Sequence, residues 1–322
     1  MIEQFIAKKR KQVDTNLSVD DKFDTLQHLD SKGSKVSSFV TIQEGCDKFC
    51  KFCVVPYTRG PEFSRDSKNI IDEIKALADN GTKEIVLLGQ NVSSYNDSNI
   101  SLAKLIKKIA NLKEIKRIRF TTSHPNDFDD ELISLYSEEP KLMPQLHLPV
   151  QSGSNKILKL MNRNHTRVDY LNLINKFRFH RPDIQFSSDF IVGYPGEKDS
   201  DHQDTINLIK EVGFSLSYSY IYSQRPGTPA SNYDEIPRVT TMKRLEELQS
   251  ILLKQQLEFN HYMINKENNV LFENKMQDEE QFFGRNQYIV PAFVKNNLIK
   301  AGEIKKIFIQ NASRNNLFGK LA

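Results

Sequence analysis

No apolar run in this sequence approaches the roughly 18 residues that cross a bilayer, which argues against a membrane-spanning protein. The opening Met1-Ile2-Glu3-Gln4-Phe5-Ile6 lacks the apolar core of a secretory signal, so the cytoplasm is the expected compartment. No internal repeat or low-complexity stretch is visible. Excess charge of one sign is also scarce: 45 basic residues face 41 acidic ones, for a net charge of +4. That balance permits an RNA partner without demanding one. The run Lys8-Lys9-Arg10-Lys11 could touch phosphate, although a solvated helix face is the commoner meaning of such a run.

Cysteine is the most telling shortage. The chain has three, an odd number, at positions 46, 50 and 53. A disulfide framework would scatter an even number along the sequence. Clustered thiols in a reducing compartment point to metal instead.

What is present is ordinary soluble composition, 38% hydrophobic and 27% charged, over a length that suits one large domain and a small one. Residues 1–35 are polar and weakly periodic, and Ser31-Lys32-Gly33-Ser34-Lys35 reads as a linker. Strand and helix signals then alternate. Strands are expected at Phe39–Ile42, Glu84–Gly89, Arg117–Thr121, Gln145–Val150, within Asp183–Val192, and at Leu216–Tyr222. Helices are expected at Ile70–Ala78, Leu102–Ile109, Asp127–Tyr136, Ser154–Met161, Val168–Phe179 and Asp199–Val212. This pattern predicts an α/β fold, a partial (β/α)6 barrel over residues 36–260, with its chemistry where strands end. A long helix, Thr240–Phe259, follows. Short strands at Asn269–Glu273, Gln281–Arg285, Tyr288–Val290 and Ile304–Ile309 make residues 261–322 a small all-β, OB-like domain.

Cys46, Cys50 and Cys53 have the spacing C-x3-C-x2-C directly after the first strand. Three thiolates on one loop can hold three irons of a [4Fe–4S] cube and leave the fourth open. An open iron can chelate the amino and carboxylate groups of S-adenosylmethionine (SAM), deliver one electron and give a 5′-deoxyadenosyl radical. The competing reading, structural zinc, needs four protein ligands, and none of the seven histidines lies within the loop. Motifs after the other strands supply candidate SAM contacts: Phe52 beside the last cysteine, then Gly89, Gln90 and Asn91, then Gln151 and Ser152, then Asp189 and Gly193. Each has a plainer reading as a turn or helix cap, as Ser154 does. His124 is at the same end of the barrel, yet a lone histidine more often packs than catalyses. Arg59 and Arg225 are candidate substrate contacts on loops facing the same mouth.

Together these strings resemble the radical-SAM methylthiotransferase family, from about Phe39 to the C-terminus. The likeness is carried by Gly45 to Gly60, Leu87 to Val92, Thr121 to Pro125, His147 to Ser154, Ser187 to Glu197 and Tyr218 to Ala230. The residues around Val54-Val55-Pro56-Tyr57-Thr58 and Ser217 to Ser223 look most like the branch acting on isopentenyl-adenosine in tRNA. The resemblance implies methylthiolation of C2 of that base beside the anticodon, a C–H bond too inert for acid–base activation. It implies as partners the tRNA anticodon stem–loop and a flavodoxin- or ferredoxin-type electron donor. It also implies that residues 261–322 form a TRAM domain, with Lys275, Arg285, Lys295, Lys305 and Lys306 as candidate phosphate contacts, although solubility is their more ordinary role. Family members begin with a further domain, of roughly a hundred residues on ordinary domain sizes, whose three cysteines hold an auxiliary [4Fe–4S] cluster. No further cysteine is present here. The expectation is therefore a catalytic portion whose first domain lies on a separate chain or upstream of a mis-called start at Met1, or a decaying fragment that binds RNA or cleaves SAM without thiolating.

Overall fold

The computed structural model describes residues 35–277, 281–296 and 298–322. The expected linker, apart from Lys35, and the Lys8–Lys11 run lie outside the described residues. Six parallel strands build the larger body: β1 (Ser37–Thr41), β2 (Glu84–Leu88), β3 (Arg117–Phe120), β4 (Gln145–His147), β5 (Gln185–Val192) and β6 (Leu216–Ile221). They form two three-stranded sheets, β1-β2-β3 and β6-β5-β4. An isolated parallel bridge between Ile118 and Leu142 joins the two across β3. Among the described residues no ladder joins β1 to β6, so the barrel is open along that seam.

A short helix, α1 (Val55–Arg59), lies within the loop after β1, and α2 (Ser67–Asp79), α3 (Leu102–Ala110), α4 (Asp130–Glu138), α5 (Asn155–Leu160), α6 (Arg167–His180) and α7 (Asp199–Val212) cover the outside. Their ends follow side-chain chemistry. Asp66 caps α2 by accepting from Asn69 N, and Thr166 with Asp169 makes a reciprocal capping box on α6. Gly213 ends α7 in the left-handed region at φ +67°. Because the α2, α3 and α4 faces are apolar at helical spacing, Ile70, Ile74, Leu105, Ile106, Leu132 and Tyr136 join Ile85, Leu87 and Ile118 in one continuous core.

Two expectations within this body need adjusting. Helix α4 begins at Asp130 rather than Asp127, because Asp129 takes the cap position and accepts from Leu132 N, while Pro125–Asp127 is a 3-10 turn. Strand β4 stops at His147 instead of running to Val150. Leu148 N still reaches Ser187 O, but Pro149 has no N–H to give, and Val150 N turns to Ser188 Oγ.

The long helix α8 (Arg238–Tyr262) leads to β7 (Glu267–Lys275), β8 (Gln281–Asn286), β9 (Pro291–Lys295), β10 (Ile304–Ala312) and β11 (Leu317–Leu321). These close into a barrel in the order β7-β8-β9-β11-β10 around Val270, Phe272, Phe282, Val294, Ile307 and Leu317. The strand expected at Tyr288–Val290 is instead a turn. Asn286 Oδ1 accepts from both Tyr288 N and Val290 N, and Ile289 sits at φ +67°. Strand β9 and the closing strand β11 are elements the sequence pattern did not reveal. Two arginines of β3 dock this barrel on the larger body. Arg117 donates to the carbonyls of Asn269, Arg285 and Asn286, and Arg119 to those of Asn286 and Gln287.

Candidate functional site

The cysteine loop leaves β1 through a short antiparallel pair, Gln43–Glu44 with Phe63–Ser64, that pinches its two ends together. Gly45 has φ +79°, and a Cβ there would lie 1.9 Å from Pro61 O, so only glycine lets the two strands pass this closely. Within the loop Cys46 N donates to Gly60 O (3.2 Å) and Cys53 N to Cys50 O (2.9 Å). Distant segments brace it: Lys51 N donates to Met161 O (3.0 Å), Asn162 Nδ2 to Phe49 O (3.1 Å), and Ala230 N to Lys51 O (3.0 Å).

Cys50 is buried, and Cys46 and Cys53 are half-buried. Burial pushes the Cys46 thiol up to about 11, partly offset by the Lys48 N–H, and burial raises Cys53 as well. Such thiols stay protonated at neutral pH, and binding iron displaces their protons. Among the described residues no three His, Cys, Asp or Glu groups converge as a single-ion site requires. An iron–sulfur cube makes no such demand, since each thiolate takes its own iron, and three sulfurs on one loop suit that donor set.

Arg163 is a functional candidate that sequence reasoning missed. It is buried, its Nη1 lies 3.6 Å from Cys50 Sγ, and its Nη2 donates to Pro149 O (2.6 Å). Its one local signal is a pair of asparagines, Asn162 and Asn164, both in the left-handed region and so marking a tight turn. Behind it His124 and His165 pack edge-on at 5.7 Å. Burial first, and the Arg163 charge second, push them down to about 2 and about 4, so both are neutral. Among the described residues His124 Nε2, His165 Nε2 and Arg163 Nε have no hydrogen-bond partner.

The structure gathers four separately expected residues. Phe52, Gln151, Asp189 and Arg225 line one hollow of about 180 Å³ with Tyr220 and Tyr222. Gln151, at φ +74°, is fixed there by its N–H to Asp189 O and its carbonyl to Ile191 N. Gly193 lines an adjoining hollow of about 240 Å³ that shares Ile221, Tyr222 and Ser223. Below, His147 Nδ1 meets Ser187 Oγ at 2.9 Å and His147 Nε2 lies 3.4 Å from Asp189 Oδ2.

Other expected residues stand elsewhere. A Cβ on Gly89 would strike Gln43 Oε1, which accepts from Gln90 N and Asn91 N. Gln90 Oε1 accepts from Gly45 N (2.7 Å). The Asn91 amide donates to Asp127 Oδ2 and Glu62 Oε1 and accepts from His124 N and Ser93 Oγ. Gly89, Gln90 and Asn91 therefore brace the cysteine loop, and Asn91 has its amide fully engaged by protein. Ser152 is fully buried, with its Oγ on Thr205 Oγ1 and Ser154 N. Arg59 is exposed at the rim and pairs with Glu44. Lys275 is exposed at the end of β7. Arg285 pairs with Glu273 and faces the floor of the lumen. Lys305 and Lys306 pair with Glu303 and Glu267.

Residues 40–209 match the family model of the Radical SAM superfamily. Among curated proteins, the tRNA-2-methylthio-N(6)-dimethylallyladenosine synthase of Pelagibacter ubique is 48% identical over 320 residues, covering 98% of this chain and 72% of that protein. The synthase of the same name from Rickettsia conorii is 46% identical over 329 residues, covering 100% and 74% respectively. Among solved structures, coproporphyrinogen III oxidase from Escherichia coli, a radical SAM enzyme, superposes with a TM-score of 0.52 at 19% identity, over 70% of this chain and 54% of that one. The radical SAM methyltransferase TsrM from Kitasatospora setae also gives 0.52, at 16% identity, over 61% and 39%. These two likenesses concern the fold.

Proposed function

The chain belongs to the Radical SAM superfamily and, within it, to the tRNA-2-methylthio-N(6)-dimethylallyladenosine synthase family, and on that premise we propose that it methylthiolates C2 of N6-dimethylallyladenosine in tRNA. The observation that carries this reading is 48% identity extending over 98% of the chain. The cofactors are a [4Fe–4S] cluster and SAM; the family also uses a second cluster, and the three cysteines present here suffice for one.

Cys46, Cys50 and Cys53 would hold the cluster, and Arg163 would direct an N–H at the Cys50 sulfur. When bound, the cluster supplies the single electron that opens SAM to radical chemistry. The chain's own residues do the positioning. Phe52, Gln151 and Asp189 form the wall against which SAM would lie, and Gly193 the adjoining one. Arg225, which lines the same hollow, and Arg59, beside the cysteine loop, would meet the RNA. The C-terminal barrel, with Lys275 and Lys295 exposed, would hold the anticodon stem–loop. Arg285, paired with Glu273, lines the floor of the lumen. The reaction also requires a reductant, which we take to be a flavodoxin- or ferredoxin-type protein.

The test is SAM cleavage. Protein reconstituted with iron and sulfide, then given SAM and dithionite, is expected to release 5′-deoxyadenosine, and Cys50→Ala is expected to release none. Equal release by both would refute the ligand assignment. Mass spectrometry of tRNA from a deletion strain, looking for accumulated N6-dimethylallyladenosine, tests the substrate.

A further inference from the structure

Beneath the hollow lined by Asp189 and Arg225 lies another, of about 260 Å³, for which the reading above has no use. Phe39, Val86, Leu216 and Tyr218 from the lumen face of the strands line it, and Ile289 of the C-terminal barrel forms part of its floor. Five of its polar groups, Glu84, Arg119, Gln145, His147 and Ser187, are already engaged. Glu84 accepts from Arg119 Nε (2.9 Å) and Ser37 Oγ (3.0 Å), Arg119 also serves two carbonyls, and Ser187 Oγ meets both Gln145 and His147. What remains for a ligand is mostly apolar surface, with Thr121 and the Glu273-paired Arg285 also in the wall. An apolar cavity of about 150 Å³ is enough for benzene, so there is room here for a five-carbon group.

The two hollows are stacked along the same strands. Ser187 and Tyr218 line the lower one; Asp189 and Tyr220, two residues farther along β5 and β6, line the upper. Two residues of strand correspond to about 7 Å. His147 contacts Ser187 and Asp189 and so marks the junction. The lower hollow opens at the seam between β1 and β6, where Phe39 and Tyr218 are 66% and 48% exposed. Exposed aromatic faces at such an opening suit an unstacked nucleobase.

We infer that the lower hollow takes the dimethylallyl tail on N6 of the substrate adenosine while C2 of the same ring stays in the upper hollow. This rests on the tRNA reading given above. A tail leaving N6 diverges from C2, so one nucleoside reaches both spaces. The chain thereby selects prenylated over unmodified adenosine by burying the tail rather than by hydrogen bonding to it.

Two anticodon stem–loops, identical except that one carries N6-dimethylallyladenosine and the other adenosine, distinguish the possibilities in an affinity measurement on the full chain. Wild-type protein is expected to prefer the prenylated loop by about tenfold or more. Val86→Trp, which fills the hollow, is expected to abolish that preference and leave affinity for the unmodified loop unchanged. Phe39→Ser, at an exposed edge position where folding is not at risk, is expected to reduce the preference severalfold. If wild type binds both loops equally, or if both variants keep the preference, the tail site is wrong while RNA binding stands. Failure of wild type to bind either loop would overturn the tRNA reading and this inference with it.

Discussion

Arg163 places a permanent positive charge against one thiol of the cysteine loop, from a position 113 residues away in sequence. Reducing a cluster held by Cys50 adds negative charge, which a buried guanidinium favours. Arg163→Met is therefore expected to leave about tenfold less reduced cluster at a fixed potential, equivalent to roughly 59 mV for a one-electron couple. A mediator titration followed by electron paramagnetic resonance reads the midpoint, and Arg163→Lys should restore part of it. An unchanged midpoint would reduce Arg163 to a prop for the loop. Gly45 makes a second expectation at this scale. Its Cβ would collide with Pro61 O, so Gly45→Ala should keep the helical circular dichroism yet retain little iron per chain. The cysteines were legible because their meaning is local spacing. Arg163 was not, since only tertiary folding brings it to Cys50. Gln90 and Asn91 were legible as polar residues at a strand end, but sequence could not tell that their amides would face the protein.

At the scale of elements, β1, β2 and β3 are tied together inside the barrel by Glu84. Burial alone would raise its carboxyl, but Arg119 and Arg117, with hydrogen bonds from Arg119 and Ser37, outweigh burial and hold it below the usual range. A carboxylate depressed in the folded state contributes stability above its unfolded pKa of about 4.3, and that contribution is lost as pH falls through the folded value. Thermal melts from pH 7 to pH 3 should show a steep acid limb that Glu84→Gln flattens. At pH 7 the same change should cost about 3–5 kcal/mol, because it leaves Arg119 buried without its counter-charge. Melts of the variant that fall as steeply with acid as those of wild type would place the sensitivity elsewhere. Elements with a long apolar period, such as α2 and β2, were readable from sequence because burial dictates both pattern and position. The turn at Tyr288–Val290 was not: its apolar residues read as strand, whereas the Asn286 side chain folds them into a bend. Strand β11 has Gly319 in its middle and exposed Phe318 and Lys320 beside it, too weak a pattern to announce a strand that closes a barrel.

For the whole molecule, the contact between the two bodies is polar and rests heavily on β3. Arg117 and Arg119 spend their guanidinium donors on carbonyls of the C-terminal barrel, and burial together with the neighbouring Arg119 pulls Arg117 down to about 10, still charged at neutral pH. The Arg117→Met, Arg119→Met double variant should split a single calorimetric unfolding transition into two, with the five-stranded barrel melting separately. One undivided transition would mean that helix α8, which also packs against β6, couples the bodies by itself. The general plan, six strand–helix units and then a small β-barrel, was visible in the alternation of signals. That the barrel would be partial was expected, but the place of its seam, between β1 and β6, and the docking were not, since neither leaves a periodic trace.

The bracing of the cysteine loop by Met161, Asn162 and Ala230 also sets an order in time. A ribosome adding about 5–20 residues per second takes roughly 10–35 s to travel from Cys53 to Ala230. Throughout that interval the three thiols hang on an unfinished scaffold, open to oxidation and to stray metal. The braced form of the loop is therefore available to iron only once the chain has been made through Ala230.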